Sequence, residues 1–144
     1  MIELAWTVLC TKMIVDPQSN NATLVELVEQ VSGDAPPAYP AVIPLQLELV
    51  SLFYRIPPDA PAKCAARVTV IGSDGRPVGD PNEFQVDLTI HPRARAVAKL
   101  PGLVVTGEGV HFLMVEIRTE NEQNWRTTGK VPYFFSVLAR PVAG

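Results

Sequence analysis

The sequence is poor in the residues that carry most enzymatic chemistry. It holds two cysteines and two histidines among 144 residues, and it has no G-x-S-x-G nucleophile motif. A zinc site needs three or four converging His, Cys or carboxylate ligands. We therefore expect a protein that is not an enzyme, with no catalytic residues, no cofactor and no metal. A site assembled across strands from His111, Cys64 or the aspartates is the enzymatic alternative.

A basic excess and long apolar runs are also missing. The formal net charge is −3, whereas duplex-binding domains usually carry an excess of Lys and Arg. No apolar run approaches the roughly 18 residues of a transmembrane helix. The first twelve residues do not form a signal peptide, because Glu3 lies near the start and Lys12 ends the apolar stretch. These absences predict a soluble cytoplasmic protein that binds neither nucleic acid nor membrane.

The two cysteines, Cys10 and Cys64, lie in apolar, strand-like runs. Unpaired cysteine is among the most frequently buried residue types, and a disulfide would need an oxidising compartment. We expect two buried free thiols.

Proline, in contrast, is abundant, with 14 residues that cluster between apolar runs. Proline inside a helix costs about 3 kcal/mol, so this punctuation favours short strands joined by loops. Residues 45–55, 83–90 and 133–138 alternate between two faces with the period of two that is typical of strands. Residues 2–10 alternate less perfectly, with Ile2, Leu4, Trp6, Val8 and Cys10 on one face. We interpret residues 95–105 as a strand that Pro101-Gly102 breaks. Residues 23–32 fit both a helical stripe and a strand. We favour a strand there, because the segment is short and its neighbours are strands.

Residues 68–90 concentrate three glycines and three aspartates. Asp74-Gly75 between two alternating runs is a strong hairpin signal. A phosphate-binding loop would place its glycines after a strand and before a helix. An EF-hand calcium loop needs carboxylates at closer, fixed spacing. We predict that this stretch only turns the chain around.

Eight or nine strands without crossover helices predict an all-β fold. At this length the expected architecture is an antiparallel two-sheet sandwich, immunoglobulin-like in plan, formed as one domain by residues 1–144. A closed β-barrel is the alternative.

The order of several segments carries a family resemblance. "LAWTVLC" is followed by a turn containing "DP", then "LQLELVSLFYR", "RVTVIGSDGRPV" and "LPGLVVTGEGVHFLMVEI". This order resembles an uncharacterised family of small bacterial β-sandwich proteins, over most of the chain. The resemblance implies a sandwich fold and a bacterial cytoplasmic setting. The family has no assigned activity or catalytic residues, so the resemblance implies no chemistry.

Two polar or proline-rich segments carry candidate binding residues. Trp125 and Arg126 lie in a polar segment that we interpret as a hairpin tip, and Tyr39 lies in a proline-rich loop. Aromatic and arginine side chains are enriched at interfaces. We therefore expect an accessory module that uses these three residues to bind an unidentified protein partner. Because a sandwich must protect its edge strands, a homodimer is also plausible.

Two alternatives to this hypothesis stay open. Trp125 can instead fold back over a sheet edge as a lid. The module can also be a small-ligand or carbohydrate binder that uses loops at one end of the sandwich.

Overall fold

The computed structural model describes residues 1–138, and within them the chain forms nine strands and two sheets. The strands are β1 (Ile2–Val15), β2 (Ala22–Leu27), β3 (Gln30–Gly33), β4 (Ala41–Arg55), β5 (Ala62–Ile71), β6 (Pro77–Leu88), β7 (Arg93–Val105), β8 (Gly109–Arg118) and β9 (Arg126–Val137). No helix long and apolar enough to cross a bilayer occurs in this part of the chain.

The two sheets form the predicted sandwich. Sheet A has the strand order β2-β1-β4-β7, and sheet B has the order β3-β9-β8-β5-β6. The pairing of β4 with β7 in one sheet, and of β5, β8 and β9 in the other, follows the immunoglobulin plan. No strand within residues 1–138 pairs with strands of both sheets, so the closed-barrel alternative is wrong. The strand pairs are antiparallel, as predicted, except that the short strand β3 pairs with β9 in parallel.

Residues 23–32 are extended, as we favoured, but they belong to two strands in different sheets. Glu26 adopts a left-handed φ of 51°, and the N–H of Val28 donates to the carbonyl of Leu9. Val28 packs against the core as the chain crosses from β2 to β3. The chain then enters sheet B, where β3 pairs with β9 in parallel.

The core lies between the inward faces of the sheets, as the alternation predicted. In β4, Leu47, Leu49 and Phe53 are buried, and in β9 Tyr133 and Phe135 are buried. Full burial of one such side chain contributes about 1.5–3 kcal/mol. Leu45, which the alternation placed on the same inward face, is 38% exposed.

The alternation predicted for β1 holds as far as Leu4 and is wrong beyond it. It placed Ile2, Leu4, Trp6 and Cys10 on one face. A register shift between Leu4 and Trp6 relative to β4 inserts a bulge, and a bulge moves every following side chain to the opposite face. Leu9 therefore joins the core, whereas Trp6 and Cys10 point outward.

Proline interrupts the sheets less than we expected. β4 begins at Ala41 rather than at residue 45, and its register with β7 shifts after Pro44. β7 continues through Pro101 and Gly102 instead of breaking there. Proline is tolerated because β7 is an edge strand, so the missing N–H costs no ladder bond on its free side.

The hairpin predicted around Gly75 is confirmed. Gly75 has a φ of +82°, and the N–H of Gly72 donates to the carbonyl of Arg76 at 2.8 Å. The strand that follows begins at Pro77 rather than at residue 83. Between the pairs Val68–Asn82 and Val70–Val78, β6 has three residues where β5 has one, which makes a bulge that includes Gly79.

Candidate functional site

The structure separates the three residues that the sequence suggested for partner binding. Trp125 directly precedes β9, and Arg126 begins it. Tyr39 instead packs edge-to-face against Phe135, with ring centroids 6.4 Å apart. Since a strand rises about 3.3 Å per residue, Arg126 and Phe135 lie about 30 Å apart along β9. Tyr39 therefore belongs to the opposite end of the molecule from Trp125.

Arg126 acts as a tie between the two sheets. Its guanidinium lies 3.7 Å from the Glu3 carboxylate, and its Nη2 donates weakly to the carbonyl of Ile2 at 3.4 Å. Both partners belong to β1, so Arg126 points towards sheet A. Its neighbour Trp125 lies over sheet B.

Trp125 lies on the outer face of sheet B. The guanidinium carbons of Arg67 and Arg118 lie 4.4 Å and 4.7 Å from its ring centroid, within cation–π range. These arginines point outward from β5 and β8, two adjacent inner strands of the sheet. The Trp125 indole therefore folds back onto the protein, as in the lid alternative. It covers the outer face of sheet B, however, and not an edge of the sheet.

The surface around this indole is rich in cationic and apolar side chains. We call it the Trp125 face, and it consists of Arg67, Phe112, Met114, Glu116, Arg118, Trp125 and Lys130. Glu116, its carboxylate, is 7% exposed and accepts a hydrogen bond from Arg67 Nε at 2.9 Å. Arg118 and Lys130 make no ion pair with a residue between 1 and 138. Glu83, the cross-strand neighbour of Arg67 on β6, lies beside the face, so three cationic side chains are accompanied by two carboxylates.

The outer face of sheet A is organised differently, because the chain folds over it. The β1–β2 hairpin, residues 11–27, curls back until Arg95 of β7 donates to the carbonyl and side-chain oxygens of Asn20 at 2.8 Å and 3.1 Å. The N–H of Met13 donates to the outward carboxylate of Glu48 at 2.9 Å. Cys10 and Val50 point outward from the sheet and are nevertheless 0% exposed. The hairpin therefore covers part of this face.

A cleft of about 370 Å³ remains between the hairpin tip and the sheet. We call it the hairpin cleft, and its walls are Trp6, Asn20, Asn21, Ala22, Leu52, Arg93, Ala94 and Arg95. No carboxylate is among these residues. The sequence analysis missed this site. Its one local signal is the i, i+2 spacing of Arg93 and Arg95, which places both side chains on the same strand face.

His111, the residue considered for an enzymatic site, is buried in the core. Its Nδ1–H donates to the carbonyl of Gly109 at 3.2 Å, and its Nε2 accepts from the N–H of Thr106 at 3.0 Å. The ring stacks on Tyr133 at 5.1 Å. Burial lowers the pKa of His111, so the neutral imidazole is favoured. Both ring nitrogens are engaged by the backbone, which leaves none for a substrate.

The two thiols are free and buried, as predicted. Burial raises the pKa of Cys64 to about 11. Burial and the nearby Glu48 carboxylate raise the pKa of Cys10 as well. Thiolate, the nucleophilic form, is scarce at neutral pH for both residues. In the described part of the chain, no three His, Cys, Asp or Glu side chains are grouped to hold a metal ion.

Comparison of the chain with protein-family models gives no match, and comparison with curated protein sequences gives none either.

Proposed function

We propose that this protein is a non-enzymatic binding module that recognises an acidic, extended segment of a protein partner on the Trp125 face. The observation that carries the proposal is Trp125 beside Arg67 and Arg118, at 4.4 Å and 4.7 Å, on an outward sheet surface. Trp and Arg are the residues most enriched among interface hot spots.

Charge complementarity selects an acidic partner. Arg67, Arg118 and Lys130 lie with two carboxylates, Glu116, which Arg67 already pairs, and Glu83, the cross-strand neighbour of Arg67 on β6. The guanidinium of Arg118 makes no hydrogen bond with another residue between 1 and 138, so its N–H donors are available to a carboxylate. Such a charge-assisted pair is about twice as strong as a neutral hydrogen bond. Opposite charge also accelerates encounter between partners.

The indole contributes in two ways. Trp125 is half-buried, so a partner gains apolar contact area from a side chain that is already held in place. The ring also holds the two guanidinium groups before the partner arrives. Groups that are ordered before binding lose less conformational entropy on association.

Arg126 and Tyr39 stay outside this surface. Arg126 is engaged with β1, and Tyr39, which is 40% exposed, lies at the far end of β9. Arg126 and Tyr39 remain candidates for a separate contact with the protein partner. A second copy of this chain is the alternative partner for that contact. The proposal includes a bacterial cytoplasmic setting, with which the two free thiols agree.

The test is selection from a displayed library of random peptides, with the wild-type chain as bait. We expect the selected peptides to be enriched in Asp and Glu. Their affinity should fall about tenfold or more in Trp125→Ala and in Arg118→Gln, since each removes an anchor worth more than about 1.4 kcal/mol. Higher salt should weaken binding.

Arg76→Gln is the matched control, because Arg76 is exposed on the turn between β5 and β6. It should bind the selected peptides as the wild type does. Peptides without an acidic bias, or equal losses in Arg76→Gln and Arg118→Gln, would contradict the proposal. Light scattering of the free chain identifies the case in which a second copy is the partner.

A further inference from the structure

Arg93 lines the hairpin cleft and has no partner among residues 1–138. Its guanidinium makes no hydrogen bond or ion pair with any other residue between 1 and 138, although it carries five N–H donors in a fork suited to carboxylate and phosphate. Arg95 points the same way from β7 and uses Nη2 on Asn20. Its other donors remain, so two guanidinium groups converge on one cavity.

The other walls offer the contacts that an organic molecule needs. Trp6 and Leu52 are cross-strand neighbours on β1 and β4, and they form an apolar side of the cleft. Asn20 and Asn21 add amide groups at the hairpin tip. A volume of about 370 Å³ falls within the roughly 300–1,000 Å³ of small-molecule pockets.

We propose that the hairpin cleft binds a small organic anion, whose oxyanion group is held by Arg93 and Arg95 and whose ring or apolar part packs against Trp6 and Leu52. The absence of any lining carboxylate favours an anion over a cation. A lone inorganic ion would leave the apolar wall without a contact. This site lies on the face of sheet A beneath a hairpin and not among loops at one end of the sandwich.

The far wall of the cleft is formed before a ligand arrives. The carboxylate of Asp16 accepts hydrogen bonds from Ser19 Oγ at 2.8 Å and from the N–H of Gln18 at 3.3 Å. The N–H of Asn20 donates to the carbonyl of Asp16 at 2.9 Å. Asn20 adopts a φ of 60°, a conformation that asparagine tolerates better than most residues. Arg95 then fastens this tip to β7.

The test uses Trp6 as its own reporter. The chain has two tryptophans, so Trp125→Phe leaves the cleft indole as the single source of tryptophan emission. In this background, phenyl phosphate, benzoate, phenol and inorganic phosphate are titrated separately. We expect saturable changes in emission with phenyl phosphate or benzoate. The better of the two should bind at least about tenfold more tightly than phenol or inorganic phosphate, because only it engages both walls.

Arg93→Gln should weaken binding of that anion by about tenfold or more, and Arg93→Lys should restore part of the loss, since it keeps the charge but not the fork. Because Arg93 has no partner within residues 1–138, neither change should lower the melting temperature. Arg76→Gln and Arg118→Gln are controls that leave binding unchanged, and the second separates this site from the Trp125 face. Anions that bind no better than phenol, or an Arg93→Gln variant that binds them normally, would overturn the proposal.

Discussion

The outer faces of the two sheets carry similar side chains and use them in opposite ways. On sheet A, a hairpin of the chain itself covers Cys10 and Val50 and leaves Arg93 beside an open cleft. On sheet B, a single indole, Trp125, lies within cation–π distance of two arginines that stay on the outer surface. An outward position in a strand is thus not by itself a solvent position. The segment that packs on the outer face decides whether an outward side chain is covered, and so stabilises the fold, or stays open to a ligand.

The largest effect is expected from a comparison within sheet A. Val50 and Val97 are direct cross-strand neighbours on the outer face, but Val50 is 0% exposed and Val97 is 38% exposed. Val50→Ala should cost about 2 kcal/mol of unfolding free energy, because it removes methyl groups under the hairpin and leaves a cavity. Val97→Ala should cost well below 1 kcal/mol. Equal losses in urea denaturation would show that the hairpin does not cover this face.

The next effect concerns the Trp125 face. Trp125→Ala should lower the unfolding free energy by about 1 kcal/mol, since cation–π pairs at partly exposed positions contribute about 0.5–1 kcal/mol each. A double-mutant cycle with Arg118→Gln should return a coupling energy of that size. The same cycle between Trp125 and Arg76 provides the control and should be additive. Additivity in both cycles would mean that the indole and Arg118 do not interact.

A smaller effect separates the two arginines of the hairpin cleft. Arg95→Gln should cost up to about 1 kcal/mol, because it removes two hydrogen bonds to Asn20. It should also accelerate hydrogen exchange of the amides in β2, since the hairpin tip is released. Arg93→Gln should do neither. Faster exchange in both variants, or in neither, would argue against Arg95 as the tie.

The smallest change in stability is expected from His111, which lies in the interior between the two outer faces. Burial lowers the pKa of His111 from its ordinary value near 6.5, against the opposing influences of the Gly109 carbonyl and of Asp74. The unfolded chain therefore binds a proton more readily than the folded chain does. Stability is complete above pH 6.5 and is lost as the pH falls below it towards the lower folded pKa.

Protonation would also break the bond from the Thr106 N–H to Nε2. Denaturation at pH 7.5 and pH 6 should show a decline that His91→Gln retains, because His91 is exposed. His111→Gln should lack the decline. If His111→Gln declines as the wild type does, another group titrates in this range.

Several parts of the fold were predictable because local chemistry decides them. The alternation in β4 and β9 placed Phe53 and Tyr133 in the core correctly, since one strand face is buried by the opposite sheet. The Asp74-Gly75 turn was predictable, because the left-handed φ of +82° suits glycine. The run 23–32 was predicted as extended, but nothing local showed that it serves two sheets.

The failures have physical reasons that lie outside the local pattern. The bulge in β1 depends on how β4 pairs with it, so the side-chain faces after Leu4 could not be read from β1 alone. β7 tolerates Pro101 because no strand occupies its free side, and an edge position is a property of the sheet. The candidate residues Trp125 and Arg126 are adjacent in the chain, but Trp125 packs on sheet B and Arg126 contacts β1 of sheet A. The hairpin cleft joins Trp6, Asn20 and Arg93, which are distant in the chain.

By itself, the sequence determined an all-β chain with alternating strands, buried thiols and tight turns. These properties depend on polarity period, on proline and on glycine, and each of them acts within a few residues. Only the tertiary structure decided which outward side chains are covered, which arginine has no partner within residues 1–138 and where an indole meets two cations. Those outcomes depend on contacts between segments far apart in the chain, and no short pattern encodes them.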